Sequence, residues 1–424
     1  MNNQSINIGV SNYRGSEKII SIPEADRFRH CYVVGKTGVG KSTLFQNMIL
    51  EDIVRSRGVC FIDPHGEAID WILERIPESR LDDVILFDPS DTEFPVGLNL
   101  LEASDNAGME FLVNELILIF YKLFDPEKTG IIGPQFEHWL RNGALTMAAN
   151  GGTLLDIPRL FTDQTFLNQM LVKVSDPIVR EFWTKQMAKT SDFHRSEMLN
   201  YFTSKFGHFS ASPLMRNILG QKTSTISFDE IIAKEKILLI NLSKGKIGEL
   251  NAYALGLITI AKLQAAVLRR ANMPQENRYP FYLYVDEFQT VVTDTFASML
   301  SESRKYGLAV HLTNQYIAQL PKNVKEAVLG NVGQLISFTI GMEDAEILAK
   351  EFYPLEPEDF VTIPKFSFYA RLVIDGGTTR PFSGQSLPPI KIKPESSSGT
   401  IKTISQLAYG VPKLLIEGML QRGN

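Results

Sequence analysis

The segment Gly35-Lys-Thr-Gly-Val-Gly40-Lys41-Ser42-Thr43 constrains the fold of this chain more than any other. It sits between a β-branched and aromatic run, HCYVVG, and a helical pattern from Ser42 to Ile53. Strand, glycine turn and helix in that order match G-x-x-x-x-G-K-[ST]. In such a turn consecutive backbone N–H groups curl around phosphate oxygens, and the helix N-terminus adds positive potential. Gly35, Lys36, Thr37, Gly38, Val39, Gly40, Lys41, Ser42 and Thr43 are therefore the candidate cradle for ATP or a close relative. Lys41 is expected to bridge the β- and γ-phosphates, and the Ser42 hydroxyl to hold Mg²⁺.

The rest of the chain fits such a turn. At 424 residues it is too long for one small core. Short apolar runs at 30–35, 59–63, 83–88, 236–242, 281–286, 309–314 and 334–340 alternate with helical patterns. This predicts an α/β fold, a mostly parallel, doubly wound sheet with helices on both faces. Several runs are apolar throughout, as strands covered on both faces should be. Between Asp105 and about Thr225 helical patterns replace the strands, at 111–123, 135–149, 160–174, 177–189 and 196–206. The expected organisation is a short N-terminal β segment (1–29), an ATPase core (30–104 and 226–388), an inserted all-α domain (105–225), and a polar linker with a C-terminal tail (389–424). The tail ends in a possible docking helix at 414–422.

A second acidic signal lies in FYLYVDEFQT, where Asp286 and Glu287 end a buried apolar strand. An acid there can order the Mg²⁺ shell, the part given to Asp286, and the next carboxylate can polarise the attacking water, the part given to Glu287. Small GTPases and most small kinases lack the second acid, so the pair favours a hydrolysing, motor-type ATPase. Asp63 and His65, in VCFIDPHGE, end another strand at the edge where open α/β sheets bind ligands. Two readings stand for them: contact with Mg²⁺, water or γ-phosphate, or a simple turn built by Asp63 and Pro64.

The formal net charge of -5 and a pI of about 5.8 exclude a strongly basic nucleic-acid binder by totals, so any DNA contact rests on local patches. Cys31 and Cys60 lie in apolar runs and form no metal pattern, which reads as reduced core residues of a cytoplasmic protein. The N-terminus carries no signal-peptide pattern. The longest apolar stretches are interrupted by Lys122, or by Lys262 and Gln264, short of the ~20 residues a bilayer needs. The chain is expected to have no transmembrane segment of its own.

The motifs RHCYVVGKTGVGKST, FIDPHGE, YVDEFQ, SESRKYGLAV and TNQYIAQL, in that order from residue 29 to 319, resemble the HerA/FtsK superfamily of P-loop motors. Within it they resemble the conjugative DNA-transfer ATPases of type IV secretion systems. The resemblance implies a RecA-like P-loop NTPase core and a homo-hexameric ring with ATP and Mg²⁺ bound between subunits. It implies that Arg304 reaches the neighbouring subunit's site to stabilise charge on the γ-phosphate, and that Gln315 senses that phosphate. It also gives the all-α insertion a place facing incoming DNA. Two departures stand out: the family's coupling proteins usually carry N-terminal membrane helices, and HerA proteins an N-terminal β-barrel. The chain is then expected to be a minimal ATPase recruited by membrane-bound conjugation or secretion proteins, or the motor part of something larger.

For DNA, single- or double-stranded, the candidates lie in the basic half of the insertion. There Arg180, Lys185, Lys189, Arg195, Lys205, Arg216 and Lys222 face only Glu181, Asp192 and Glu197 in acidic charge. Trp183, Phe193, Tyr201, Phe202 and Phe206 lie among them and either stack on bases or fill a helical core. Lys185, Lys189, Arg195 and Lys205 are the proposed contacts, with Lys244 and Lys246 of the loop Ser243–Gly248, which otherwise reads as a solvated turn. Three functions follow: a DNA translocase of conjugation or HerA-like processing, a secretion ATPase for pilus assembly or protein export, and a nucleotide-binding adaptor that barely hydrolyses ATP.

Overall fold

A computed structural model describes residues 5–11, 17–187, 199–391 and 398–422. The chain divides into two compact units. The first comprises Met1–Phe87, Asp229–Gly245 and Val267–Ser405, and the second Asp88–Phe228, Lys246–Ala266 and Gln406–Asn424.

The first unit is built on one sheet of eleven strands. In chain order the strands are β1 (Ser5–Ser11), β2 (Lys18–Pro23), β3 (Cys31–Val34), β4 (Gly58–Asp63), β5 (Val84–Phe87), β6 (Ile237–Asn241), β7 (Phe281–Val285), β8 (Leu308–Asn314), β9 (Gln334–Ser337), β10 (Ser367–Arg371), β11 (Val373–Ile374), β12 (Gly377–Thr378) and β13 (Phe382–Gln385). Their order across the sheet is β2-β1-β13-β10-β9-β3-β8-β7-β4-β6-β5, while β11 and β12 pair only with each other. From β9 to β5 every neighbour is parallel, and these seven strands are the seven apolar runs of the sequence. Every residue of β4, β6, β7 and β8 is buried, because helices cover both faces. From β9 outward the sheet turns antiparallel through β10, β13, β1 and β2. In β10 burial alternates, the pattern of a strand with one covered face.

The helix Lys41–Val54 packs Phe45, Met48 and Ile49 into the core, with Phe45 edge-on to Tyr284 at 5.3 Å. A fully buried ion pair fixes it: Arg27 Nη1 and Nη2 donate to the two oxygens of Asp52 at 2.6 and 2.7 Å. The Tyr284 hydroxyl also donates to Asp52, at 2.6 Å. The Asp52 oxygens are filled by Arg27, Arg57 and Tyr284, while the buried Arg27 Nε has no partner among the described residues. The satisfaction that makes such a pair contribute is thus met on the carboxylate side. Cys31 and Cys60 are buried and unbridged, and burial pushes both thiols up.

The stretch after Pro388, polar in composition, does not stay a linker. Residues Ser398–Tyr409 form a helix whose Ile401 is fully buried. Its Ser405 Oγ accepts the Leu86 N–H of the outermost strand at 2.8 Å.

In the second unit the helix Asn106–Phe124 begins where Asp105 accepts the Gly108 N–H at 2.6 Å, and Pro134–Ala148 begins on a proline. The single helix expected over 160–174 is instead two, Ile157–Thr162 and Gln164–Leu171. Asp163 breaks it, taking an extended backbone and capping the Phe166 N–H at 2.9 Å. Trp183, Phe202 and Phe206 do not present rings for base stacking. They are buried in an aromatic core with Phe120, Phe136 and Phe161. The Trp183 indole N–H is used internally, donating to Thr146 Oγ1 at 2.8 Å. Half-buried Tyr201 lies edge-on to Phe136, and Phe193 falls outside the described residues.

Among the described residues one helix, Glu249–Arg269, is long and apolar enough to cross a membrane by composition, yet 83% of its apolar window is buried inside the protein. The last helix is Lys413–Arg422.

Candidate nucleotide site

Parallel strands deliver their C-terminal ends to one edge of a sheet, and the candidate residues gather there. The phosphate loop leaves β3, Asp63 and His65 leave β4, Lys244 follows β6, Asp286 and Glu287 follow β7, and Gln315 follows β8.

Neighbouring strands hold the loop open. The Gly35 N–H donates to Asn314 O at 3.4 Å and the Lys36 N–H to Thr339 O at 2.8 Å. A Cβ on Gly35 would lie 2.7 Å from Phe338 Cβ, and Gly40 has a φ of 122°, a backbone other residues rarely adopt. The helix then starts at Lys41 with no side-chain cap, so its first amides face the loop. Lys41 Nζ curls back onto Gly35 O at 2.5 Å and Lys36 O at 2.9 Å. Burial lowers its pKa, against the pull of Asp286 and Glu287.

Asp286 is nearly fully buried. Its Oδ1 accepts the Thr313 hydroxyl and, at 3.0 Å, the Glu287 N–H. Burial raises its pKa, and Asp63 and Glu287 push the same way. Glu287 has a left-handed backbone at φ 45°, which a non-glycine residue keeps only where its surroundings over-determine it. His65 Nε2 stands 3.3 Å from Glu287 Oε1, and Gln315 Nε2 donates to the same oxygen. Gln315 Oε1 in turn accepts the Thr37 hydroxyl of the phosphate loop at 3.0 Å. A chain of hydrogen bonds thus runs from Thr37 through Gln315 to Glu287 and His65. The His65 bond is the main reason Glu287 sits below the usual carboxylate range, with Gln315 and then Lys244 adding to it. His65 is raised mainly by the same bond.

Asp63 takes the turn-building part. Its Oδ1 accepts the His65 N–H at 2.8 Å, and its Oδ2 the N–H groups of Ala68 and Ile69 at 3.1 and 3.4 Å. Sequence reasoning passed over Thr313, whose signal is the polar strand end of TNQ, and placed Thr37 in the phosphate cradle without its bond to Gln315. It also missed Lys244 as a neighbour of Glu287.

The donor set suits Mg²⁺. Asp63 and Glu287 both lie close enough to raise Asp286, the Ser42 hydroxyl is exposed at the helix start, and Mg²⁺ takes one or two protein ligands beside phosphate and water. No cluster of three or more His, Cys, Asp or Glu side chains able to hold a metal by themselves occurs among the described residues. Bound there, Mg²⁺ would neutralise phosphate charge; Ser42 and Asp286 would hold it.

Arg304 is exposed, in the turn Ser303–Tyr306 just before β8. Since β3 and β8 are parallel, with Cys31 opposite His311 and Val34 opposite Asn314, that turn lies at the far edge of the sheet from the phosphate loop. The seven residues of β8 alone span roughly 23 Å, several times the reach of an arginine. The structure does not bring Arg304 to its own chain's loop.

Of the DNA candidates, Lys185 pairs with Glu181 at 3.2 Å, and Lys205 Nζ lies 4.9 Å from the centre of the Tyr201 ring. Lys244 and Lys246 belong to a short helix, Lys244–Ile247, rather than a loose turn. Lys189 and Arg195 lie outside the described residues.

A family model described as the central domain of helicase HerA matches residues 15–118. No curated protein matches the sequence significantly. Among solved structures, the plasmid coupling protein TrwB in complex with ADP and Mg²⁺ matches at 15% identity and a TM-score of 0.63, over 94% of this chain and 92% of that one. An unbound form of the same bacterial conjugative coupling protein matches at 14% identity and 0.62, over 94% and 91%. VirB4 of Thermoanaerobacter pseudethanolicus matches at 13% identity and 0.59, over 92% and 98%. The chain thus has a RecA-like P-loop NTPase fold and resembles the HerA/FtsK-type ATPases of conjugation.

Proposed function

We propose that the chain is an ATPase motor of the conjugation and type IV secretion kind, working as a homo-hexameric ring on DNA. The observation that carries this reading is the hydrogen-bonded line from Thr37 through Gln315 to Glu287 and His65, which joins the phosphate loop to an ionised base. Lys41 binds the β- and γ-phosphates, Ser42 and Asp286 hold Mg²⁺, Glu287 takes a proton from water, and Gln315 reports the γ-phosphate. Arg304, out of reach of its own loop, serves the next subunit. The all-α insertion, 105–225, handles the cargo, and membrane-bound conjugation or secretion proteins recruit the ring. TrwB, the coupling protein with ADP and Mg²⁺, supports nucleotide and metal by its likeness of fold.

The test is ATPase activity with single- and double-stranded DNA over a range of salt, paired with the mass of the assembly. Stimulation that weakens with salt supports the DNA motor. A second reading, a secretion ATPase for pilus assembly or protein export, is favoured by the burial of Trp183, Phe202 and Phe206 and the pairing of Lys185. Turnover indifferent to DNA, with secretion-channel proteins pulled down in its absence, would select it.

A further inference from the structure

Arg304 makes no ion pair among the described residues, so its aim depends on the four-residue turn beneath it. That turn is held by its backbone from two sides. On the inner side stands His30, 1% exposed, immediately before β3. Its Nε2 is 2.9 Å from Leu300 O, in the helix Phe296–Glu302 that leads into the turn. Its Nδ1 is 3.1 Å from the Val310 N–H, in the strand that leads out. A carbonyl only accepts and an amide only donates, so Nε2 carries the proton and Nδ1 is bare. The ring is therefore neutral, in one tautomer, and bonded to both flanks of the Arg304 turn. His30 itself holds a left-handed backbone, φ 61°, and its carbonyl accepts the Gln334 N–H at 3.2 Å. A non-glycine residue keeps that conformation when its surroundings over-determine it.

On the outer side two arginines grip the turn. Arg278 Nη1 donates to Lys305 O at 2.6 Å and lies over the Tyr306 ring. Arg270 donates to Tyr279 O at 2.5 Å and, more weakly, to Gly307 O at 3.5 Å. Gly307 closes the turn at φ 74°, where a Cβ would lie 2.9 Å from Arg278 O. Two guanidinium groups are thus spent on backbone carbonyls, and the nearby Glu302 carboxylate is taken by Lys305 at 3.0 Å.

We propose that His30 is a positioning residue for Arg304: clamped between Leu300 O and Val310 N, and opposed by Arg270 and Arg278, it pre-aims that arginine at the neighbouring subunit. This rests on Arg304 acting in trans. The role matters because a finger displaced by ~1 Å loses on the order of a hundredfold in rate.

Three full-chain variants test it: Arg304→Ala, His30→Asn and Arg278→Met. Asparagine tolerates the left-handed backbone but is too short to bridge both partners. Arg278→Met loosens the same turn from the surface and leaves the core alone. For His30→Asn and Arg278→Met, kcat is expected to fall by about tenfold to a hundredfold while ATP affinity, read by equilibrium binding, stays within about twofold. Both are expected to regain turnover when mixed with Lys41→Ala subunits, whose fingers are intact, as Arg304→Ala does. Failure of Arg304→Ala to recover would sink the trans reading, and the proposal with it. Recovery of Arg304→Ala but not of His30→Asn would place the histidine's effect in its own subunit's site and overturn the proposal alone. If His30→Asn does not fold, Arg278→Met decides, and an unchanged kcat there overturns the clamp.

Discussion

His65 Nε2 and Glu287 Oε1 stand 3.3 Å apart, joining the ends of two adjacent parallel strands. Each shifts the other toward its charged form: the bond holds the Glu287 carboxyl down and the His65 imidazole up. A base must be ionised to take a proton, and this pair keeps it so.

Replacing Glu287 by Gln keeps the shape and the Gln315 contact side but removes the base. ATP binding is expected to persist while turnover falls by roughly a hundred- to ten-thousandfold. Single-turnover hydrolysis beside nucleotide binding checks this, and normal turnover would refute the assignment.

His65→Ala removes the donor that depresses Glu287. The acid limb of the kcat profile is then expected to move to higher pH, because the carboxyl protonates more easily. The sign for the histidine runs the other way: its folded pKa is raised, so the pair's contribution is complete below the ordinary histidine value and disappears as pH rises through the raised one. With the imidazole half exposed, the effect on stability is small, and a pH–rate profile is the sensitive readout.

Gly35→Ala sets a methyl 2.7 Å from Phe338 Cβ and 3.0 Å from Val39 Cγ2. Overpacking of that kind costs about 1–3 kcal/mol. Since the loop is the part able to give, ATP affinity should drop about tenfold, measured by titration with a fluorescent nucleotide.

His30 is depressed to about 4 by burial, with the Arg304 charge adding to it. The unfolded chain binds that proton first, so stability is whole above the ordinary histidine pKa and declines as pH falls toward 4. The loss is on the order of 3 kcal/mol. Urea unfolding across that window should show the decline in the wild type and a flatter curve in His30→Asn.

Phe202→Ala opens the aromatic core shared with Phe136, Trp139, Phe161 and Phe206 and should cost about 3–5 kcal/mol. Lys205→Ala, at the surface over Tyr201, should stay within roughly 0.5 kcal/mol. Denaturant unfolding separates them. If Lys205→Ala alone weakens stimulation by DNA, the cationic surface touches the cargo.

The parallel half of the sheet was legible because its strands are buried on both faces and read as unbroken apolar runs between turn residues. The antiparallel strands β10 and β13 were not, since about half their residues face outward, and β13 also pairs with a strand far away in sequence, Val10 with Gln385. The helix Ser398–Tyr409 hid behind Ser and Gly because few of its side chains are buried, Ile401 and Ser405 among them. At the site, the glycine turn and the acids Asp286 and Glu287 were plain from motif and strand end. The bond between His65 and Glu287 could not be read, because it exists only once β4 and β7 lie side by side. The rings of Trp183, Phe202 and Phe206 showed the opposite limit: helical spacing of aromatics reads alike for a binding face and a core.

Ser405 has a consequence for how copies of the chain can meet. An outer strand with bare amides is a template on which other chains can pair, and repetition from both edges makes a ribbon. By accepting the Leu86 amide, Ser405 occupies one of the donors that β5 would otherwise offer at the border of the sheet. Side-by-side pairing of two copies through β5 is opposed by a hydroxyl from the chain's own helix Ser398–Tyr409.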